Sequence, residues 1–302
     1  MFKTIFLLPV LVFICSACGI GDETKPVSIP STRVIAVETF LADIAQHVAG
    51  DRLKVDVLLQ PDVDPHSYQP TPRDVTRIAG STILIINGAG LESFLGPLLV
   101  NAGGERLVIE ASAGLKPRSD PGGDHPMGDP HFWLDPINVV KYAENIRDGL
   151  SQSDPGGTQT YTANAKVYIE DLHTLDAWIK EQVSQIPPAH RLLVTDHETF
   201  GYFAERYGFT VVGTVIPGLS SEASPSAQQM TSLIKQIKQT GAPAIFLEAG
   251  ANPNLAEQIA SETGTKVITN LYTHSISGIS GPAPTYIDMM KYNIKLIVEA
   301  LR

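Results

Sequence analysis

Four histidines stand just downstream of predicted strands: His66 in DPHSYQP, His131 in GDPHFWLDP, His197 in LLVTDHETFGYF and His274 in NLYTHSIS. Two fall in each half of the 302-residue chain. Imidazole is the commonest protein ligand for zinc-like ions. Strand ends on one rim of an open α/β sheet are where such folds bind ligands. Four imidazoles converging on a cleft between two halves would make a metal-capture site. The remaining histidines do not share this position. His47 and His173 fall inside predicted helices, His190 in a turn before a strand, and His125 in the loop from Asp120 to Asp129. Each of these, taken alone, reads as structural.

Two of the four histidines sit in Asp-Pro-His tripeptides, Asp64-Pro65-His66 and Asp129-Pro130-His131. Proline restricts the residue before it to extended conformations and makes a rigid entry to the histidine. Asp64 and Asp129 are then candidates to orient a ring N–H from behind the ligands, or simply turn formers.

Strands and helices must place these loops together. In the first half, strands are expected at Arg33–Val37, Lys54–Leu59, Thr82–Ile86 and Arg106–Glu110. Helices are expected at Thr39–Ala49, around Thr71–Ala79, and at Pro136–Leu150. In the second half, strands are expected at Arg191–Thr195, Thr210–Ile216, Ala244–Leu247 and Lys266–Thr269. Helices are expected at His197–Tyr207, from Ser224-Pro225 to about Thr240, at Asn254–Glu262 and at Tyr286–Leu301. Strands alternating with helices imply α/β lobes with mainly parallel sheets. Between them, Tyr161, Ala165, Tyr168, Leu172, Leu175, Ile179 and Ile186 mark one face of a helix over residues 158–186. The expected organisation is an N-terminal lobe over 33–157, this long rigid helix, and a C-terminal lobe over 187–302, with the metal site in the cleft.

Bulk properties narrow the function. The formal charge of −10 and the absence of a Lys/Arg cluster argue against a nucleic-acid partner, since phosphate binding needs basic patches. The N-terminus reads as a secretory signal: Lys3, then the apolar stretch Ile5–Ile14, then Ser16 and Ala17 before Cys18. The end of it resembles a bacterial lipobox cleaved before Cys18, with Cys15 where Leu is usual. Residues 1–17 would then be removed, Cys18 lipidated, and residues 18–32 left as a flexible tether. A plain secretory signal is the alternative. Both cysteines lie in this leader, so the mature chain offers neither a disulfide nor a thiolate metal ligand.

The segments DPHSYQPTPRDV, GDPHFWLDP, HETFGYFAERYG and IKQIKQTGAPAIFLEAGANP resemble the metal-binding solute-binding proteins of bacterial zinc and manganese ABC importers, the ZnuA/TroA-type or cluster A-I family. The resemblance covers about residues 33–302. It implies two α/β lobes joined by a rigid helix, a metal in the cleft, and delivery to a membrane permease by an extracytoplasmic, lipid-anchored protein expected to be a monomer. Carried over, the first three ligands become His66, His131 and His197. Where the family commonly has Asp in the last loop, this chain has His274, with Glu248 and Asp288 as carboxylate alternatives. Gln69 stands where the family often has Glu.

This ligand set argues for Zn²⁺ over Mn²⁺, because manganese favours carboxylate oxygens and imidazole suits zinc and its neighbours. Four neutral imidazoles leave the ion's charge uncompensated, so nearby acids matter. Two rival readings carry less support. A secreted zinc hydrolase would need a general base and an open coordination position, yet no His-Glu-x-x-His occurs and Glu198 would point along a helix. A surface adhesin with a structural metal has no feature motivating it.

Overall fold

The computed structural model describes residues 32–119 and 126–302. Cys18, the leader, nearly all of the tether and His125 lie outside the described residues. Eight strands form two four-stranded, wholly parallel sheets. The first is built from β1 (Val34–Ala36), β2 (Val55–Val57), β3 (Ile83–Ile86) and β4 (Leu107–Glu110), in the order β2-β1-β3-β4. The second is built from β5 (Leu192–Thr195), β6 (Thr210–Thr214), β7 (Ala244–Glu248) and β8 (Lys266–Leu271), in the order β6-β5-β7-β8. Both orders place a topological switch beside the first strand of the sheet, where loops leave in opposite directions and open a crevice at the carboxyl ends.

Helices cover both faces of each sheet. The first half carries α1 (Thr39–Ala49), α2 (Pro72–Ala79), α3 (Leu95–Ala102) and α4 (Pro136–Ser153). The second carries α6 (Gly201–Tyr207), α7 (Ala227–Thr240), α8 (Asn254–Thr263) and α9 (Tyr286–Leu301). Between them runs α5, Thr158–Ser184, whose 27 residues span roughly 40 Å at 1.5 Å per residue. It packs on α1 and α4 on one side and on α9 on the other. All seven apolar residues of the expected stripe are buried.

The outer faces of the sheets have their own apolar clusters, one under α2 and α3, the other under α7 and α8. The inner faces share a single continuous core with α1, α4, α5 and α9. Trp133, Phe40, Tyr161, Tyr168, Leu172 and Tyr286 all belong to it. The two halves are therefore joined by packed side chains as well as by chain connections. No described helix is long and apolar enough to cross a membrane.

Three local expectations change. α6 begins at Gly201 rather than His197, because Thr195 Oγ1 and the Thr199 N–H both bond the His197 carbonyl and hold 196–200 in a non-helical turn. α7 starts two residues later than expected, at Ala227. Ser226 and Gln229 form a reciprocal capping box there, which satisfies two donors that Ser224-Pro225 would leave open. α3 was not anticipated, since Gly96 and Pro97 disguise it. Pro97 is the third residue of the helix, where an N–H would have no intrahelical acceptor.

Truncating Leu172, which is fully buried at the middle of α5, should test the shared core. Leu172→Ala is expected to lower unfolding free energy by about 2–5 kcal/mol, read as a shift of the denaturant midpoint in a single transition. Two separated transitions would show that the halves unfold independently.

Candidate metal centre

His66 follows β2, His131 lies in the segment after β4, His197 is two residues past β5 and His274 three past β8. All four side chains are buried, His131 and His197 completely. The parallel strands aim their carboxyl ends at one crevice, so loops about 200 residues apart in sequence meet there. The six ring-to-ring centroid distances among the four imidazoles run only from 5.0 to 5.5 Å. One nitrogen from each ring lies within 4.8 Å of all the others.

Six nearly equal distances among four points describe a tetrahedron. Its centre would lie roughly 3.2 Å from each ring centroid. That equals the usual Zn–N distance of about 2.0–2.1 Å plus the roughly 1.1 Å from a nitrogen to its ring centre. The spacing of the rings is therefore that of a four-coordinate site. The His66 and His131 Nε2 atoms are 3.2 Å apart, and His274 Nε2 is buried with no hydrogen-bond partner.

The two Asp-Pro-His segments fold alike. In each, the aspartate Oδ1 accepts the histidine backbone N–H at 2.9 Å, across a proline that has no N–H of its own. Beyond this their roles diverge. Asp129 Oδ1 also accepts from His131 Nδ1 at 2.8 Å, which leaves Nε2 for a ligand. Asp64 accepts instead from the Ser67 and Ser221 hydroxyls, shaping the His66 loop. Behind His131, the Asn87 side chain donates to the Pro130 carbonyl at 3.1 Å. Asn87 is itself held by Glu92, which accepts the backbone N–H groups of Asn87 and Gly88.

Glu248, at the end of β7, was expected only as a stand-in ligand. Its carboxylate sits between two rings, 3.0 Å from His274 Nδ1 and 3.1 Å from His197 Nδ1. The first contact is a hydrogen bond. The second is an ion-pair distance without hydrogen-bond geometry. Asp288 takes no part; it bonds Thr285 at the start of α9. Glu198 precedes α6 rather than riding on it, and lines a cavity with Arg118 and Asp129. Sequence reading passed over Asn87 and Thr199 altogether. Thr199 Oγ1 lies 3.0 Å from His197 Nε2 and 3.3 Å from Glu248 Oε1.

Electrostatics divide the rings. Burial, then the neighbouring imidazoles, push His131 well below the usual histidine range, so it is neutral and ready to ligate. Burial also pulls His197 down, but Glu248 and Asp196 outweigh it and raise it to about 10. His197 thus carries a proton that an ion must displace. Burial alone would raise Glu248, yet His274 and His197 hold it well below the usual carboxylate range. A full negative charge therefore lies against the His197 and His274 rings, supplying the compensation that neutral imidazoles lack. Burial pushes Asp129 up to about 7.

Comparison with known proteins gives a consistent picture. Residues 34–300 match the family described as zinc-uptake complex component A, periplasmic. The manganese-binding lipoprotein MntA of Halalkalibacterium halodurans is 32% identical over 98% of this chain and 97% of its own length. The iron-binding protein YfeA of Yersinia pestis is 32% identical, over 94% of this chain and 91% of its own. Among solved structures, the periplasmic zinc-binding protein TroA of Treponema pallidum superposes with a TM-score of 0.83 at 28% identity, covering 90% of this chain and 99% of its own.

Two outcomes follow from the carboxylates. Glu248→Gln should weaken Zn²⁺ binding about ten- to a hundredfold in competition with a chromophoric chelator; unchanged affinity would mean that the carboxylate contributes nothing to the site. Burial also pushes Glu92 up to about 7, from the ordinary 4.5. Between those values the folded chain keeps a proton that the unfolded chain has released. The stabilisation from this group is therefore full below about 4.5 and is lost as pH rises through about 7. Glu92→Gln should make the fall in stability of the metal-free protein across that window less steep, measured by urea unfolding at several pH values.

Proposed function

Because the chain belongs to the zinc-uptake component A family, whose members are metal-binding substrate-binding proteins of ABC importers and not enzymes, we propose that it captures Zn²⁺ through His66, His131, His197 and His274. It then hands the ion to an import permease. The supporting observation is the near-regular tetrahedron of four buried imidazoles, the coordination that structural zinc sites favour. No carboxylate belongs to that group of four, and manganese favours carboxylate and water oxygens. The relatives named for manganese and iron show that cargo varies within the family, so the donor set carries the choice here.

In this reading the protein works as a monomer outside the cytoplasm. It is anchored through lipidated Cys18 after removal of residues 1–17, with 18–32 as the tether. Two lobes, 33–157 and 187–302, each supply two ligands, and the helix over 158–186 fixes their spacing. Both sheets fall within those bounds. Asp129 holds the His131 ring from behind, and Asp64 holds the backbone of the His66 loop. Capture proceeds by loss of the His197 proton as the ion enters, with Glu248 left as the compensating charge.

The direct test is metal analysis of residues 19–302, stripped with a chelator and reloaded with equimolar Zn²⁺ and Mn²⁺. One zinc per chain is expected. His131→Ala and His197→Ala should each weaken Zn²⁺ by roughly a hundredfold or more, beyond the effect of losing an outer partner, with unchanged circular dichroism. Retained manganese would mean that Glu248 has moved in to ligate, and retained zinc affinity in both variants would refute the ligand assignment.

A further inference from the structure

Trp133 lies two residues past His131 in the first half, and its side chain is completely buried. Its indole stacks on Phe40 at 4.6 Å and 22°, so α1 fixes the ring plane. The indole Nε1–H donates to the Thr273 carbonyl at 2.6 Å. Thr273 belongs to the second half, and its carbonyl is part of the peptide that leads into His274. From the same side, the Tyr286 hydroxyl of α9 donates to the Trp133 carbonyl at 2.7 Å. The indole also lies beside both rings, with centroids 5.3 Å from His131 and 5.7 Å from His274.

These contacts give one side chain control of a distance. His131 comes from the first half and His274 from the second, and their rings are 5.3 Å apart. Other bonds also cross between the halves near the site: Asp62 N–H to Ser275 Oγ, Ile276 N–H to Thr39 Oγ1, and Tyr202 hydroxyl to the Asp129 carbonyl. The indole bond differs because both of its ends sit within two residues of proposed ligands and it runs through a rigid, immobilised ring. A buried carbonyl that loses such a donor is left unsatisfied, and the loop recovers a partner only by moving.

We propose that Trp133 is a positioning residue for metal retention: its indole N–H bond to Thr273 sets the separation of His131 and His274 and so slows release of the ion. This rests on the four-imidazole reading of the site. The bond needs no metal to form, so it preorganises the cage. Its rupture loosens the His274 loop against the first half without unfolding either half.

The test uses the chain loaded with one equivalent of Zn²⁺, with release followed by stopped flow into excess chelator. Trp133→Phe keeps an aromatic ring beside Phe40 and removes the N–H. Release should accelerate about tenfold, the equivalent of one buried hydrogen bond, and the visible spectrum of the Co²⁺-loaded variant should shift as the cage relaxes. Ile237→Ala, in the apolar cluster under α7 and apart from the indole, loosens the core but keeps the N–H bond, so its release rate should stay near that of the unsubstituted chain. Equal acceleration in Ile237→Ala would make lost packing the cause and overturn the proposal. An unchanged rate and Co²⁺ spectrum in folded Trp133→Phe would overturn it as well. Should Trp133→Phe fail to fold, Tyr286→Phe decides: it frees the Trp133 carbonyl and should accelerate release about threefold, and no change would overturn the proposal. If the unsubstituted chain retained no ion, the four-imidazole reading would fall first, and this inference with it.

Discussion

The site depends on the continuous core between the two sheets. Four rings can share one small ion only if their spacing is held to a few tenths of an ångström, and loops alone cannot do that. Here the inner faces of both sheets, α1, α4, α5 and α9 pack into one apolar body. Protein interiors are close-packed and resist compression, so the strand ends that carry the four loops have nearly fixed positions. α5 contributes length, but its side-chain contacts with helices of both halves do more than its mere continuity. A hinge of large amplitude would have to break this core. A modest opening at the cleft is the motion that such a body permits.

On that scaffold, acids decide how the imidazoles behave. Glu248 lies against His197 and His274, Asp129 against His131, and each acts from outside the tetrahedron. The effect is twofold. Tautomers are fixed, so a ring nitrogen is presented inward. Charge is also supplied close to the cavity without spending a coordination position on oxygen. This leaves the four imidazoles grouped without a carboxylate among them while a negative charge lies beside two of them. It is the physical difference between this arrangement and one in which a loop carboxylate ligates directly.

His197 shows the tension in such a design. It is completely buried, a setting that disfavours charge, yet Glu248 and Asp196 raise it to about 10. Glu248 lies 3.1 Å from its Nδ1, and the Thr199 hydroxyl lies 3.0 Å from its Nε2. Acid and hydroxyl thus hold the ring in place from two sides.

Much of this was legible in the chain itself. Alternating apolar strands and capped helices gave both parallel sheets, and the stripe from Tyr161 to Ile179 gave α5, because periodicity records which face is buried. The four histidines stood out because each followed a predicted strand, and the carboxyl end of a parallel strand is a fixed place in such a fold. Asp129 and Asp64 were visible as a pair through their shared Asp-Pro-His pattern. Their different jobs were not, since both make the same backbone turn and differ in whether the histidine ring folds back or hydroxyls, one of them from distant Ser221, take its place. Asn87, the bond from Trp133 to Thr273 and the place of Glu248 behind two rings were likewise beyond reach. Each acts on a residue tens to more than a hundred positions away, and sequence spacing carries no information about which strand ends face one another. Thr199 lies only two residues from His197, but its second partner, Glu248, is distant. Local sequence marked the four histidines and the elements that carry them. The packing of two sheets against one core decided the distances between the rings and which acids lie against them.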